Sequence, residues 1–378
     1  MKVGMLFPMS SVHPGIGADL IDGLNAYLKH KQLSENITLI KEGIGFGGTE
    51  KDVYLKAEQL LIRDDADILL AYIDEKVAEV IYPLSLATGK LVIIVNPGAN
   101  YPANWIAQPA VIRLNLQHAF LCWLTGAWAA GRQNNNAALA TTYYDCGYLH
   151  AAAMVNNFLQ SGGNLQFNFI NNKPGSTEFS ITELTDFLKS NTACNNILCV
   201  FDESPAALFY QQLAKDITNR PLQLFVSPMM LQPKALNAIA DAAPYTINGF
   251  LQWHKENDSE ANSLFLSSCT RPASIFSLLG WEIALVLEQI MQQESNIFNG
   301  ETIVNSLKNI TLQSPRGELE LDHETQCYLA PVIQYSLEAG NTRADVKKIN
   351  GIKEQWKIFS STPIEGAVTG WTNTYLCY

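Results

Sequence analysis

The chain runs to 378 residues, 47% of them hydrophobic and 16% charged, the mixture of an ordinary globular protein of about two or three domains, which excludes disorder. A net charge of -11 excludes general nucleic-acid binding, because an acidic surface repels a phosphate backbone. No apolar run approaches the roughly 18–20 residues that cross a bilayer, so no direct membrane insertion is expected.

The first third alternates strands and helices. Val3–Phe7 predicts a buried strand, and Gly17–Lys29 a helix with Leu20, Ile21, Leu24, Tyr27 and Leu28 on one face. Ile37–Ile40 predicts a second strand. Thr49 and Asp52 have the spacing of a capping box and open a helix to about Arg63. Asp67–Ile73 is a third strand, Glu75–Thr88 a helix, and Leu91–Val95 a fourth strand closed by Asn-Pro-Gly.

The same grammar restarts in the middle of the chain. A helix over Leu116–Gly131 precedes strands at Ala137–Thr142, Leu165–Ile170, Asn196–Phe201 and Leu222–Val226. Helices at Gly147–Ser161, Ser180–Ser190, Pro205–Asp216 and Pro233 to about Ala242 alternate with them. Two sequential parallel sheets, each wrapped in helices, are the reading this pattern supports. After residue 247 come a strand at Asn248–Trp253, long and short helices at Ile275–Gln292 and Gly300–Leu307, and a strand or hairpin over Ser314–Asp322. Tyr328–Leu337 and Gln355–Phe359 read as further strands.

Seven cysteines, with no C-x-x-C pair, read mainly as core residues or free thiols; only Cys194 and Cys199 are spaced for a local disulfide. The start, MKVGMLFPMSS, enters a strand-like run behind one lysine and is not a secretory signal as written. The expectation is that a signal segment is absent from this version, or else that the protein is cytoplasmic.

Signals for catalysis are missing. Gly43-Ile-Gly-Phe-Gly-Gly48 matches G-x-G-x-x-G, and Asp74 could stand as a ribose-binding acid. A dinucleotide domain, however, places its glycines after the first strand rather than the second, so a plain glycine loop is the better reading. The histidines have no zinc-ligand spacing and there is no G-x-S-x-G elbow. Cys146 beside Asp145 reads as a core or cleft-lining thiol. No catalytic residue, metal or cofactor is expected.

What remains is the carboxyl ends of the strands, where open parallel sheets bind ligands. In the first series these are Ser10, Ser11 and His13, then Asp74 and Glu75, then Asn96, Gly98, Asn100 and Tyr101. The second series offers Tyr144 and Asp145, then Asp202 and Glu203, then Met229, and Trp253 closes the strand after residue 247. Polar and aromatic groups recur there, the mixture a small-molecule cleft needs.

Taken in order, these segments resemble the type I periplasmic solute-binding proteins, the leucine/isoleucine/valine- and amide-binding receptors of ABC transporters. Val3-Gly-Met-Leu-Phe-Pro-Met-Ser10 with Gly17 and Asp22-Gly23 is similar to that family's first strand, loop and helix. Leu60–Ala71 looks like its helix and cleft-facing strand, and Leu91–Tyr101 like the next strand. Ala138–Gly163, with Asp145 and Gly147, resembles the start of the second lobe. Gly280-Trp281-Glu282 and Arg316–Asp322 match late landmarks. The likeness covers nearly the whole chain and rests on order and spacing.

The resemblance implies an α/β fold of two doubly wound parallel-sheet lobes, joined by a three-stranded hinge with a ligand cleft between them. The first lobe would hold residues 1–115 and 253–326, the second 116–252 and 327–378. In amino-acid-binding members, hydroxyls and backbone N–H groups that hold the α-carboxylate fall near Glu75–Lys76 and Gly98–Asn100, and the acid that pairs with the ammonium falls near Met229. This chain departs from that pattern at both ends. Asp74, Glu75, Asp202 and Glu203 would suit hydroxyls, amides or a cationic group, while Tyr72, Tyr101, Tyr144, Tyr148 and Trp253 offer stacking surface. The function implied is hinged capture of a small polar or aromatic molecule and delivery to an ABC permease or a signalling partner. Alternatives are a cytoplasmic sensor of the same fold and a nucleotide-dependent enzyme.

Overall fold

The computed structural model describes residues 1–132, 134–171, 178–217, 220–239, 244–293, 299–363, 371 and 373–377. The chain forms two compact units: Met1–Leu116, Trp253–Pro331 and Trp371–Tyr378 make unit 1, and Gln117–Gln252 and Val332–Gly370 make unit 2. It passes between units after Leu116, Gln252, Pro331 and Gly370, one passage more than the resemblance implied. The extra one arises because the last residues return to unit 1 instead of ending with the second lobe.

Unit 1 begins β1 Lys2–Phe7, α1 Ile16–His30, β2 Thr38–Gly43, α2 Glu50–Glu58, β3 Ile68–Tyr72, α3 Glu75–Ala78, α4 Tyr82–Thr88, β4 Leu91–Asn96 and β5 Val111–Asn115. These strands form a parallel five-stranded sheet in the order β2-β1-β3-β4-β5. β3, β4 and β5 are buried along their whole length, which is why they read as unbroken apolar runs. The single helix expected over Glu75–Thr88 is interrupted by a 3₁₀ turn at Glu79–Ile81, and α4 restarts with Pro83 in its first turn. Proline has no N–H to continue the preceding helix but fits the first turn of a new one. Thr49 is the N-cap residue of α2, yet its side chain makes no capping bond.

Unit 2 begins α5 His118–Ala130, β6 Asn136–Thr142, α6 Leu149–Gln160, β7 Asn164–Asn171, α7 Thr182–Ser190, β8 Asn196–Val200, α8 Glu203–Asp216, β9 Leu222–Val226, α9 Pro233–Leu236 and β10 Tyr245–Leu251. The last three residues of the helix expected from Pro233 to Ala242 lie outside the described residues.

Unit 1 then continues through α10 Glu260–Ser268, α11 Ile275–Met291, α12 Gly300–Leu307 and a small antiparallel sheet of β11 Thr311–Ser314, β12 Gly317–Leu321 and β13 Tyr328–Leu329. Unit 2 closes with β14 Val332–Leu337, β15 Asp345–Ile349 and α13 Lys353–Ser361. Its seven-stranded sheet runs β15-β14-β10-β9-β8-β6-β7. The parallel part, β7 to β10, repeats the connection order of unit 1, and β14 and β15 add on antiparallel.

Two strands read from sequence are corrected. The run Tyr328–Leu337 is two strands in two sheets, divided at Ala330-Pro331. Gln355–Phe359 lies within α13, where Trp356 and Phe359, three residues apart, share one face and both pack on Phe120. Their spacing is helical, and the short window hid it.

Helix pairs cross through glycine. A Cβ on Gly23 of α1 would lie 1.8 Å from the Ser277 carbonyl oxygen of α11, and one on Gly280 of α11 would lie 1.9 Å from the Leu20 carbonyl oxygen. In unit 2, a Cβ on Gly126 of α5 would lie 2.1 Å from the Met154 carbonyl oxygen of α6. Beside α11, Arg316 in the turn before β12 forms a wholly buried pair with Glu282, 2.7 Å from Nε to Oε1.

Candidate functional site

Each parallel sheet has the strand order in which the chain reverses direction across the sheet beside its first strand. The crevice at that point, outside the carboxyl ends, is where such sheets bind ligands. In unit 1 it lies between β1 and β3, in unit 2 between β6 and β8.

In unit 1, β3 delivers Asp74 to its carboxyl end as the N-cap of α3. Asp74 Oδ1 accepts from the Lys76 backbone N–H at 3.0 Å, and Oδ2 accepts from Asn100 Nδ2 at 3.0 Å. Burial raises the carboxyl to a pKa of about 7, opposed by those two hydrogen bonds and reinforced by the neighbouring Glu75 charge. The loop after β4 is fixed by Asn96, whose Nδ2 donates to the Ile73 carbonyl at 2.9 Å and whose Oδ1 accepts from the Gly98 N–H at 2.8 Å. Gly98 itself has φ +74°, a conformation that glycine adopts without strain. Beyond it, Tyr101 stacks parallel to Trp105 with ring centroids 6.4 Å apart.

Glu75 is turned inward. Its Oε2 pairs with Arg113 Nε on β5 at 3.0 Å, and both residues are buried. Arg113 also donates to the Thr325 carbonyl and the Tyr82 hydroxyl. Ser10 holds the β1–α1 loop: its hydroxyl accepts from the His13 N–H at 2.8 Å and donates to the Leu376 carbonyl. Ser11 is exposed beside it, and the His13 ring meets Phe276 edge-on at 5.5 Å. Tyr72 is buried in β3. Trp253 is nearly buried, with its indole N–H donating to Asn262 at 2.7 Å.

In unit 2, Asp145 joins the ends of β6 and β8. Its Oδ2 accepts from the Thr142 hydroxyl at 2.6 Å and from the Asp202 N–H at 3.2 Å. Asp202 caps α8 by accepting from the Glu203 N–H at 2.7 Å. Tyr148 donates its hydroxyl to that of Tyr144 at 2.8 Å, and Tyr144 and Glu203 are half-exposed. Behind this loop, His150 and His118 are buried, and burial holds each near a pKa of 3, so both are neutral at pH 7. Met229 is buried in the turn after β9.

The structure thus brings Ser10, Asp74, Asn96, Gly98, Asn100 and Tyr101 to one sheet end in unit 1. It brings Tyr144, Asp145, Tyr148, Asp202 and Glu203 to one sheet end in unit 2. The sequence reading missed Arg113, Thr142 and Trp105: β5 was not recognised as a strand, and a lone threonine or tryptophan carries no signal of its partner. The thiols are all free, including Cys194 and Cys199. Among the described residues there is no cluster able to hold a metal ion and no helix long and apolar enough to cross a membrane.

The Gly43–Gly48 loop sits on the sheet end of β2, and its last glycines face the chain's own C-terminal residues. A Cβ on Gly47 would lie 3.2 Å from Thr374 Oγ1, and one on Gly48 would lie 3.4 Å from Asn373 Cβ.

Comparison with known proteins agrees with this architecture. The comparison with curated proteins gives no match. Among solved structures, an ABC transporter substrate-binding protein from Sphaerobacter thermophilus has a TM-score of 0.74 at 17% identity, over 92% of this chain and 96% of that one. An ABC transporter solute-binding protein from R. palustris, in complex with benzoate, has a TM-score of 0.70 at 16% identity, over 92% and 95%. The branched-chain amino acid transporter substrate-binding protein from Streptococcus pneumoniae, in complex with isoleucine, has 0.68 at 13%, over 92% and 99%. These are likenesses of fold, and the proteins concerned are binding proteins. The model of the periplasmic binding protein family matches residues 1–340, and the chain belongs to that family.

Proposed function

We propose that the chain is the solute-binding component of an ABC-type uptake system, working in the periplasm, with the strand-end cluster of each unit as a candidate solute-contacting surface. The observation that supports this most is the pair of matching sheets, each with buried polar groups and a half-exposed tyrosine at the carboxyl ends of its strands. Among the described residues, Asp74, Asp145 and Asp202 are engaged in capping and loop bonds, and Glu75 in an ion pair with Arg113.

The solute class we favour is a small aromatic acid or amide. The proteins of similar fold include ones in complex with benzoate, 4-hydroxybenzoate and isoleucine. For this chain, buried Met229 cannot pair with an α-ammonium, which disfavours isoleucine-like solutes. Tyr101 with Trp105, and Tyr144 backed edge-on by the buried Tyr148, offer ring surface. Half-protonated at neutral pH, Asp74 can donate a hydrogen bond to a solute carboxylate or accept one from an amide.

A thermal-shift series over benzoate, 4-hydroxybenzoate, benzamide, leucine, isoleucine, putrescine and glucose tests this. An aromatic acid or amide at a hundredfold excess over its Kd is expected to add about 2.7 kcal/mol of stability. A response confined to leucine and isoleucine would sink the solute class, and no response to any of them would sink the binding role. One observation favours a cytoplasmic sensor instead: the seven thiols are all unpaired, as in a reducing compartment. Cell fractionation of the natively expressed protein separates the two.

A further inference from the structure

The C-terminal residues occupy the ligand-binding end of the unit 1 sheet. Thr374, Tyr375, Leu376 and Cys377 are all buried there. They cross the carboxyl ends of neighbouring strands in sheet order. Asn373 and Thr374 lie against Gly48 and Gly47 after β2, and the Leu376 carbonyl accepts from Ser10 after β1. Leu376 adopts φ +72°, a backbone conformation costly for a branched side chain and held by its surroundings. The Thr374 hydroxyl is buried without a hydrogen-bond partner. The family match ends at residue 340, so this segment lies beyond what the family model describes.

We infer that Asn373–Cys377 is a specificity-determining wall of the unit 1 subsite, filling the β2 and β1 side of the crevice and limiting the size of the solute that can reach Asp74. This rests on the proposed solute-binding role. The glycine loop lies directly under this tail: a Cβ at Gly47 would press on Thr374 Oγ1 at 3.2 Å, and one at Gly48 would sit in ordinary contact with Asn373, so a dinucleotide phosphate at this loop would have to displace the tail.

The test uses two size series, benzoate with 2-naphthoate and biphenyl-4-carboxylate, and leucine with phenylalanine and tryptophan. Each is titrated into the full chain, a chain ending at Gly370, and the Cys377→Ala variant. The expected result is that removing the tail improves the affinity for the largest member relative to the smallest by tenfold or more, with Cys377→Ala moving the ratio in the same direction. Binding seen only in the chain ending at Gly370 supports the same conclusion. A ratio unchanged within twofold in a shortened chain that still binds overturns it. Should the shortened chain not fold, an unchanged ratio in Cys377→Ala overturns it equally. Failure of every compound to bind any of the three chains rejects the solute-binding reading together with this one, and the full chain makes that case distinguishable.

Discussion

Asp74 is pulled in two directions, since burial favours its neutral form while Lys76 N–H and Asn100 favour its charge. Burial wins, and the folded pKa stands near 7 against an ordinary 3.8. Between those values the native state binds more protons than the unfolded one, so the contribution to stability is full below pH 3.8 and falls as pH rises toward 7. The stability of the native protein relative to Asp74→Asn should therefore drop by up to about 4 kcal/mol from pH 4 to pH 7.5, measured by chemical denaturation. A flat difference would mean that the carboxyl is ionised throughout. At Arg316, by contrast, the charge is committed to Glu282 in a site with no exposure. Arg316→Met strands that carboxylate and should cost about 3–5 kcal/mol, while Glu282→Met with Arg316→Met should cost less than the single change. Equal losses would show that the arginine acts through packing alone.

At the scale of elements, the α1–α11 and α5–α6 pairs depend on the absence of a side chain. Gly280→Ala drives a Cβ into the Leu20 carbonyl and should destabilise unit 1 by about 1–3 kcal/mol or more, read as a lower first melting transition. An unchanged melt would mean that the helices are free to part. His118 and His150 make the opposite pH demand to Asp74. With folded values near 3 against 6.5, the unfolded state binds more protons between them, so their contribution is full above pH 6.5 and is lost as pH falls toward 3. Acidification from pH 7 to pH 4 should weaken unit 2 by several kcal/mol while Asp74 favours unit 1, and hydrogen exchange resolved by peptide would show which unit opens first. Most elements were legible from apolar period and turn residues, because continuous runs such as Leu91–Asn96 have little choice but a buried strand. The failures have physical causes. Arg113 disguised β5 by placing a charge in a buried strand, where its partner Glu75 lies far away in sequence. Trp356 and Phe359 looked like strand residues in a window too short to show a helical face.

For the whole molecule, the order of elements carried the family, since a repeated β-α period with a late β tail admits few arrangements. The candidate site was legible only as positions. Asp74, Asp145 and Asp202 were found from their places at strand ends, but their roles as caps and loop ties depend on Asn100, Thr142 and backbone N–H groups that only the folded chain brings to them. The return of the tail to unit 1 had no local signal, because nothing in Thr374–Cys377 itself says which sheet will bury it. The central claim is that the strand-end residues of each unit contribute to solute binding. Isothermal titration of the aromatic acid or amide with the largest thermal shift tests it directly, against the native chain, Tyr101→Ala and Tyr144→Ala. Both substitutions, one in each unit and each at a half-exposed ring, should weaken binding about tenfold without lowering the melting temperature of the free protein by more than a few degrees. Unchanged affinity in both variants would contradict the account.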